Sequence, residues 1–254
     1  MQIYLAVTPA EIQEASRCTR RFAHVAYRLG KSAPLRQDLP AGIRGGLLSL
    51  SDREAPAVAD PERMAVALLR ECMRRNFIGI VADFEEPPTT DRIALLKALV
   101  RRGGRNLQLL VPEGCAIPGA TVLINSAVSG GNLRERLQEA IRQHPNAGLD
   151  LQRLMMDFTL PAPSGEGKPL SPEELTALQK QRNPSVFFSP ELCARYFTYM
   201  DNRQAHFVLF DDAETLQQKL RLAESLGYRT ALMMYPEIRD LAGQLFPPGQ
   251  NSRG

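Results

Sequence analysis

The sequence predicts an α/β protein, a (β/α)8 TIM barrel with a small insertion between strand 7 and the last helix. Short apolar runs alternate with helical patterns, and eight such runs occur within 254 residues, close to the ~250 residues typical of these barrels. The first βαβ turn also lacks a GxGxxG motif, which argues against an open dinucleotide-binding sheet. We therefore expect a single barrel over residues 1–245, with the insertion at about 161–211 and a flexible tail at 246–254.

The eight expected strands are short apolar runs bounded by turn residues. They cover Ile3–Val7, His24–Leu29, Gly46–Leu50, Ile78–Glu85, Leu107–Val111, Thr121–Asn125, Leu154–Phe158 and Thr230–Tyr235. Five helices are expected from their apolar periodicity, and several of them begin at a proline or at an Asp, Asn or Thr cap. They cover Pro9–Arg21, Pro61–Arg75, Thr90–Arg102, Asn132–Gln143 and Glu214–Leu226.

The segment from Pro161 to Asp211 interrupts this alternation. It is rich in proline and contains one additional strand candidate, His206 to Phe210. Because it is too long for a simple loop, we expect a small excursion beside the mouth of the barrel, between the seventh strand and the last helix. The tail from Phe246 contains two prolines and two glycines and is expected to fray.

Composition and charge exclude several classes of protein. Hydrophobic residues make up 44% of the chain and charged residues 23%, which are values of globular rather than disordered proteins. The net charge of +3 is too small to indicate a nucleic-acid partner. No apolar run is long enough to span a bilayer, and the chain as given begins without the features of a signal peptide. We therefore expect neither nucleic acid nor membrane as a partner.

The cysteines and histidines lack the spacing of metal ligands. No CxxC pair occurs, and a disulfide is left open by the spacing but has no support from it. No serine or cysteine lies in a nucleophile motif such as G-x-S-x-G. We expect small buried or free thiols, no metal and no cofactor. The residues concerned are Cys18, Cys72, Cys115, Cys193, His24, His144 and His206.

The strand candidate that ends at Glu85 carries two acids with one residue between them. Because side chains alternate along a strand, Asp83 and Glu85 share one face with Val81, and the other face is apolar. Such a strand suits a barrel whose carboxyl end opens into the mouth where barrel enzymes hold their chemistry. Two close carboxylates do not both ionise cheaply, so one should keep a proton near neutral pH and act as a donor. The alternative is that both acids are surface caps of the following loop.

Three segments resemble glycoside hydrolase family 18. The run from Asp60 to Glu85 is similar to the family's fourth strand and the helix before it, where the family pattern is DGxDxDxE. The run from Phe210 to Tyr235 is similar to the last helix and closing strand, and Leu47–Ser51 to the third strand. Within the family, the chain most resembles a compact bacterial branch that includes spore germination and cortex-lytic N-acetylglucosaminidases. Since the chain as given has no signal-peptide features, a cytoplasmic location and the spore-associated location that the resemblance implies both stay open.

The resemblance implies hydrolysis of β-linked N-acetylhexosamine glycans, of peptidoglycan or chitin type, by a substrate-assisted retaining mechanism. At the matching positions, Glu85 corresponds to the general acid and Asp83 to the acid that orients the 2-acetamido group. The oxygen of that group then serves as the internal nucleophile. The implied partner is the glycan itself, and neither metal nor cofactor is implied.

The chain also departs from the family pattern. Ile78 and Val81 stand where the pattern has acids, and the sixth strand lacks a tyrosine whose hydrogen bond Asn125 could partly replace. The chain has no tryptophan for a sugar floor, and Tyr235 is the nearest aromatic residue. These departures keep open a weakened or inactive barrel that binds a glycan or a protein partner. An enzyme of unrelated chemistry on the same scaffold is a third alternative.

Three further side chains are candidates for substrate binding. Asp157 would hold a sugar hydroxyl or make a structural hydrogen bond, and Tyr235 would stack on a sugar or belong to the core. Ser49 ends the third strand and would line the mouth of the barrel.

Overall fold

The computed structural model describes residues 1–162 and 165–247, and within them eight parallel strands close into a barrel surrounded by helices. The first strand pairs with both the second and the last, which closes the sheet. This confirms the predicted (β/α)8 fold. Numbered in chain order, the strands are β1 Gln2–Val7, β2 Phe22–Arg28, β3 Leu35–Arg36, β4 Leu47–Ser51, β5 Gly79–Asp83, β6 Gln108–Pro112, β7 Thr121–Asn125, β8 Ala147–Asp150, β9 Met155–Leu160, β10 Lys168–Pro169, β11 Phe187–Ser189, β12 Ala194–Asp201, β13 Gln204–Phe210 and β14 Thr230–Met234. The barrel is formed by β1, β2, β4, β5, β6, β7, β8 and β14.

The described helices include the five that the sequence predicts, whose bounds agree to within one residue at each end except for the first helix. They are α1 Ile12–Ala15, α2 Pro61–Arg75, α3 Thr90–Gly103, α4 Leu133–Gln143, α5 Pro172–Arg182, α6 Ala213–Ser225, α7 Tyr235–Ile238 and α8 Ala242–Leu245, with 3₁₀ turns at Gly104–Asn106, Glu113–Cys115 and Arg239–Leu241. The first is shorter than the predicted Pro9–Arg21, because its backbone bonds change to the i→i−3 type at Arg17. No helix in the described residues is long and apolar enough to cross a membrane.

Two hydrophobic cores lie on the two sides of the barrel wall. The inner core contains Val81, Leu123 and Leu232, and the outer core lies between the strands and the helices. On β5, Val81 faces the inner core while Ile80 and Ala82 face the outer one, as the alternation predicts. The same alternation directs the last residue of β5, Asp83, into the open end of the barrel.

The excursion is a five-stranded antiparallel sheet of order β10-β9-β13-β12-β11, covered on one face by α5. It is held to the barrel at Asp211, whose carboxylate accepts hydrogen bonds from Leu154 N and Lys219 Nζ, at 2.9 and 2.7 Å. The side chains of Lys219 and Asp211 are both fully buried. Asp211 therefore ties the start of the excursion, at Leu154, to α6.

The assignment of Leu154–Phe158 to the seventh barrel strand is wrong. This segment is β9, which pairs antiparallel with β10 and β13 in the excursion, so the second sheet begins at Met155 rather than near Pro161. The seventh barrel strand is β8, Ala147–Asp150, paired in parallel with β7 and β14. The local pattern favoured the longer and more apolar of two neighbouring strands, although pairing partners decide which sheet a strand joins. Of the predicted tail, residues 248–254 lie outside the described part of the chain.

Candidate active site

A cavity of about 430 Å³ opens at the carboxyl ends of the barrel strands. This is the end of a (β/α)8 barrel at which enzymes of this fold carry their catalytic residues. The floor is apolar, with side chains from the inner core, and the walls carry carboxyl and amide groups. The lining residues that the argument uses are Val81, Asp83, Glu85, Asn125, Asp150, Gln152 and Glu237.

The two predicted catalytic acids both line this cavity. Asp83 is the last residue of β5 and is half-buried, whereas Glu85 lies just beyond the strand and is exposed at the rim. The pKa of Asp83 is raised to about 6, mainly by burial and additionally by the negative charges of Glu85 and Asp52. The deeper acid of the pair therefore keeps its proton to a higher pH than an exposed aspartate does.

The position of Glu85 is fixed by a buried ion pair beneath the rim. Its backbone N–H donates to Asp52 Oδ1 at 2.9 Å, and Asp52 follows β4 with its side chain fully buried. The other carboxylate oxygen of Asp52 lies 3.3 Å from Arg92 Nη1, on α3. Asp52 thus holds the segment that carries the rim acid.

A chain of side-chain amides on the neighbouring wall ends on a third carboxyl group. Asn125 Oδ1 accepts a hydrogen bond from Ala127 N at 2.7 Å, and Asn125 Nδ2 donates to Gln152 Oε1 at 2.8 Å. Gln152 Nε2 then donates to Asp150 Oδ2 at 2.8 Å. Asn125 lies in the cavity as predicted, and its amide fixes the orientation of Gln152 and Asp150.

Charge in the cavity is predominantly negative, because none of the described lining residues is Lys or Arg. The pKa of Asp150 is raised to about 6, mainly by burial, which the Gln152 hydrogen bond partly offsets and the charges of Glu237 and Asp83 reinforce. Burial also raises the pKa of Glu237, against the effect of Arg153. The walls therefore favour neutral or protonated groups over further anions.

Sequence reasoning missed Asp150, Gln152 and Glu237. Asp150 is the last residue of β8 and Gln152 lies just beyond it, and this strand was overlooked in favour of β9. Glu237 lies in the short helix after the closing strand. The available signal was the acid that ends the Ala147–Asp150 run, since an acid at the end of a barrel strand points to the mouth.

Ser49, Asp157 and Tyr235 do not line the cavity. Ser49 faces the barrel interior, but it lies beside Val81 in register and is buried below the opening. Asp157 belongs to β9, where its carboxylate accepts a hydrogen bond from Tyr199 Oη at 2.7 Å and lies 3.0 Å from His206 Nδ1. Asp157 therefore makes structural hydrogen bonds, which was the alternative to sugar binding.

Tyr235 lies outside the cavity in which it was expected to stack on a sugar, and the cause is geometric. In β14 the side chains of Leu232 and Met234 face the inner core, so the opposite parity directs Tyr235 outward, where it packs in the outer core. Its ring lies beneath the Arg239 guanidinium, 5.6 Å from it, and burial raises its pKa to about 12. The expected aromatic floor is absent at this position, and Leu232 and Met234 line the cavity there.

Within residues 1–162 and 165–247, no group of three or more His, Cys, Asp or Glu side chains has a geometry suited to holding a metal ion. The chain is thus a (β/α)8 barrel whose open end holds a cavity walled by carboxyl and amide groups.

Solved structures with the same fold include a spore cortex-lytic enzyme, an N-acetylglucosaminidase and a pseudo-chitinase. The spore cortex-lytic enzyme SleL of Bacillus cereus superposes with a TM-score of 0.69 at 18% identity, over 96% of this chain and 74% of that one. A glycoside hydrolase family 18 N-acetylglucosaminidase of Paenibacillus barengoltzii gives a TM-score of 0.65 at 11% identity, over 96% and 97% of the two chains.

The third structure is human YKL-39, described as a pseudo-chitinase that retains chitooligosaccharide binding, with a TM-score of 0.66 at 12% identity over 98% of this chain and 96% of that one. No protein-family model matches the sequence, and the comparison with curated proteins finds no match. At these identities the likeness establishes the fold, and the resemblance to family 18 is confirmed at that level.

Proposed function

We propose that this protein hydrolyses β-linked N-acetylhexosamine glycans of peptidoglycan or chitin type by a substrate-assisted retaining mechanism. Glu85 acts as the general acid and then the general base, and Asp83 orients the 2-acetamido group. The observation that carries the proposal is that both carboxyls line one cavity at the open end of the barrel, with Asp83 inside and Glu85 at the rim.

The positions of the two acids support such a reaction. Glu85 lies at the rim, within reach of a glycosidic oxygen in a chain that enters from solvent. Asp83, once ionised, accepts a hydrogen bond from the acetamido N–H and directs the carbonyl oxygen toward the anomeric carbon. That carbonyl oxygen replaces the second carboxylate of most glycosidases, so one protein acid suffices for the proton transfers.

The test is hydrolysis of a chromogenic N-acetylglucosaminide and of cortex glycan by the purified protein. Glu85→Gln keeps the size of the side chain and removes the proton, so we expect kcat to fall by about 10²–10⁴. Asp38→Asn changes an exposed acid outside the cavity and is the matched control. Equal rates for Glu85→Gln and the unchanged protein would contradict the proposal.

The second candidate is a barrel that binds a glycan without cleaving it. Val81 stands inside the barrel below Asp83, where the family pattern has an acid, and the cavity floor is aliphatic near Tyr235. Calorimetric binding of an N-acetylglucosamine tetramer without turnover, unaffected by Glu85→Gln, would favour this candidate. Absence of both binding and turnover would favour unrelated chemistry on the same scaffold.

A further inference from the structure

The side chain of Asn125, at the position of the missing sixth-strand tyrosine, is held by the protein through both of its polar atoms. Its oxygen accepts the Ala127 N–H and its amide nitrogen donates to Gln152. The bond to Gln152 connects the end of β7 with the segment that follows β8. The group at the end of this chain of hydrogen bonds is the carboxyl of Asp150, which lines the cavity together with Asn125 and Gln152.

Only one oxygen of the Asp150 carboxyl is held by the protein. Gln152 Nε2 donates to Oδ2, so a proton on the carboxyl belongs on Oδ1, and no second hydrogen bond from the described residues reaches this side chain. Because Asp150 is the last residue of β8 and has inward parity, a protonated Oδ1 provides a donor at the level of Asp83.

We propose that Asp150, in its protonated form, is a substrate-binding residue that donates a hydrogen bond to a hydroxyl or carbonyl oxygen of the N-acetylhexosamine, while Asp83 accepts one from the acetamido N–H. This inference rests on the function proposed above and adds the charge state that the site needs. The ligand is a neutral sugar that offers an acceptor to one wall of the cavity and a donor to the other.

The surrounding charges are consistent with one retained proton. Glu237 on α7 and Asp83 on β5 face Asp150, and Glu85 and Glu113 line the same cavity. The nearby cations are engaged elsewhere: Arg153 contacts Glu237 and Asp240, Arg136 contacts Glu113, and Arg92 contacts Asp52. Burial and these neighbours raise the pKa of both Asp83 and Asp150 to about 6, so the two acids lose their protons over the same range.

The binding-competent state is the one with a single proton on the pair, located on Asp150. At low pH Asp83 is protonated and cannot accept from the acetamido N–H; at high pH Asp150 is ionised and cannot donate. Affinity for the glycan should therefore be bell-shaped in pH, with each limb falling by up to about tenfold per pH unit.

The experiment measures the affinity of an N-acetylglucosamine tetramer by calorimetry from about pH 4.5 to about pH 8.5, so that both limbs are covered. Glu85→Gln is the background, which prevents cleavage. Asp150→Asn keeps a donor that does not ionise, so the alkaline limb should disappear while the acid limb remains. Asp83→Asn should show the reverse, and Asp38→Asn should keep both limbs.

Proton uptake provides a second readout that needs no substitution at Asp150. In the Glu85→Gln background on the alkaline limb, tetramer binding should take up close to one proton, measured in buffers of different ionisation enthalpy. Binding that is retained with no proton uptake, or an alkaline limb that persists in Asp150→Asn, would overturn the inference for Asp150 alone. Absence of tetramer binding at every pH would instead overturn the proposed function itself.

Discussion

Replacing Asp83 by asparagine should stabilise the protein at neutral pH while it impairs glycan hydrolysis. The pKa of Asp83 is about 6 in the folded protein against 3.8 for the exposed group. Since one unit corresponds to about 1.4 kcal/mol, ionised Asp83 costs the folded state at most about 3 kcal/mol. No hydrogen bond from the described residues to this carboxyl offsets that cost.

The pH dependence follows from proton linkage. The folded pKa is raised, so the folded state binds more protons than the unfolded state between about pH 4 and about pH 6, and its stability falls as the pH rises through this window. Asparagine removes this titration. The stability gain of Asp83→Asn should therefore be close to zero at about pH 4, grow up to about pH 6, and stay constant above it.

The assay is urea denaturation followed by circular dichroism at about pH 4 and about pH 7.5, on either side of the titration. Asp38→Asn, an exposed acid outside the cavity, controls for the loss of one negative charge. The reasoning is refuted if Asp83→Asn gives the same change in unfolding free energy at both pH values, or a larger gain at the lower one.

Three further predictions concern the groups that support the site. Arg92→Leu leaves the buried Asp52 carboxylate without its partner and should lower the unfolding free energy by about 3–5 kcal/mol, measured by denaturation; a loss below about 1 kcal/mol would mean that the pair is dispensable. Lys219→Met leaves Asp211 uncompensated, so limited proteolysis should cut first within the excursion, and unchanged cleavage would contradict this. Tyr235→Phe should leave tetramer affinity within about twofold, because the ring lies outside the barrel wall, and a tenfold loss would place it in the cavity.

Local periodicity was sufficient for most of the barrel. The bounds of α2 were predicted at both ends, because the Asp60 side chain caps the helix by accepting a hydrogen bond from Arg63 N–H and Pro61 suits its first turn. The alternation along β5 also predicted that Val81 and Asp83 face inward. Both results depend on interactions between residues a few positions apart, which the sequence contains directly.

The errors concern interactions between residues that are distant in the chain. The sequence could not decide whether β8 or β9 belongs to the barrel, since that choice depends on pairing with β14 or β13, more than forty residues further on. The same uncertainty hid Asp150 and Gln152. Tyr235 was misplaced for a different reason: the parity set by Leu232 and Met234 was available, but it was not applied to the residue after them.

The sequence by itself determined the barrel, the inward face of β5 and the pair of acids at its end, because hydrophobic alternation and helix capping act between near neighbours. The tertiary structure decided which carboxyls meet in the cavity, that Asp83 and Asp150 carry raised pKa values, and that Asn125 is engaged by Gln152. These properties depend on burial and on charges from separate strands. They arise only once the sheet closes and brings those strands to a common opening.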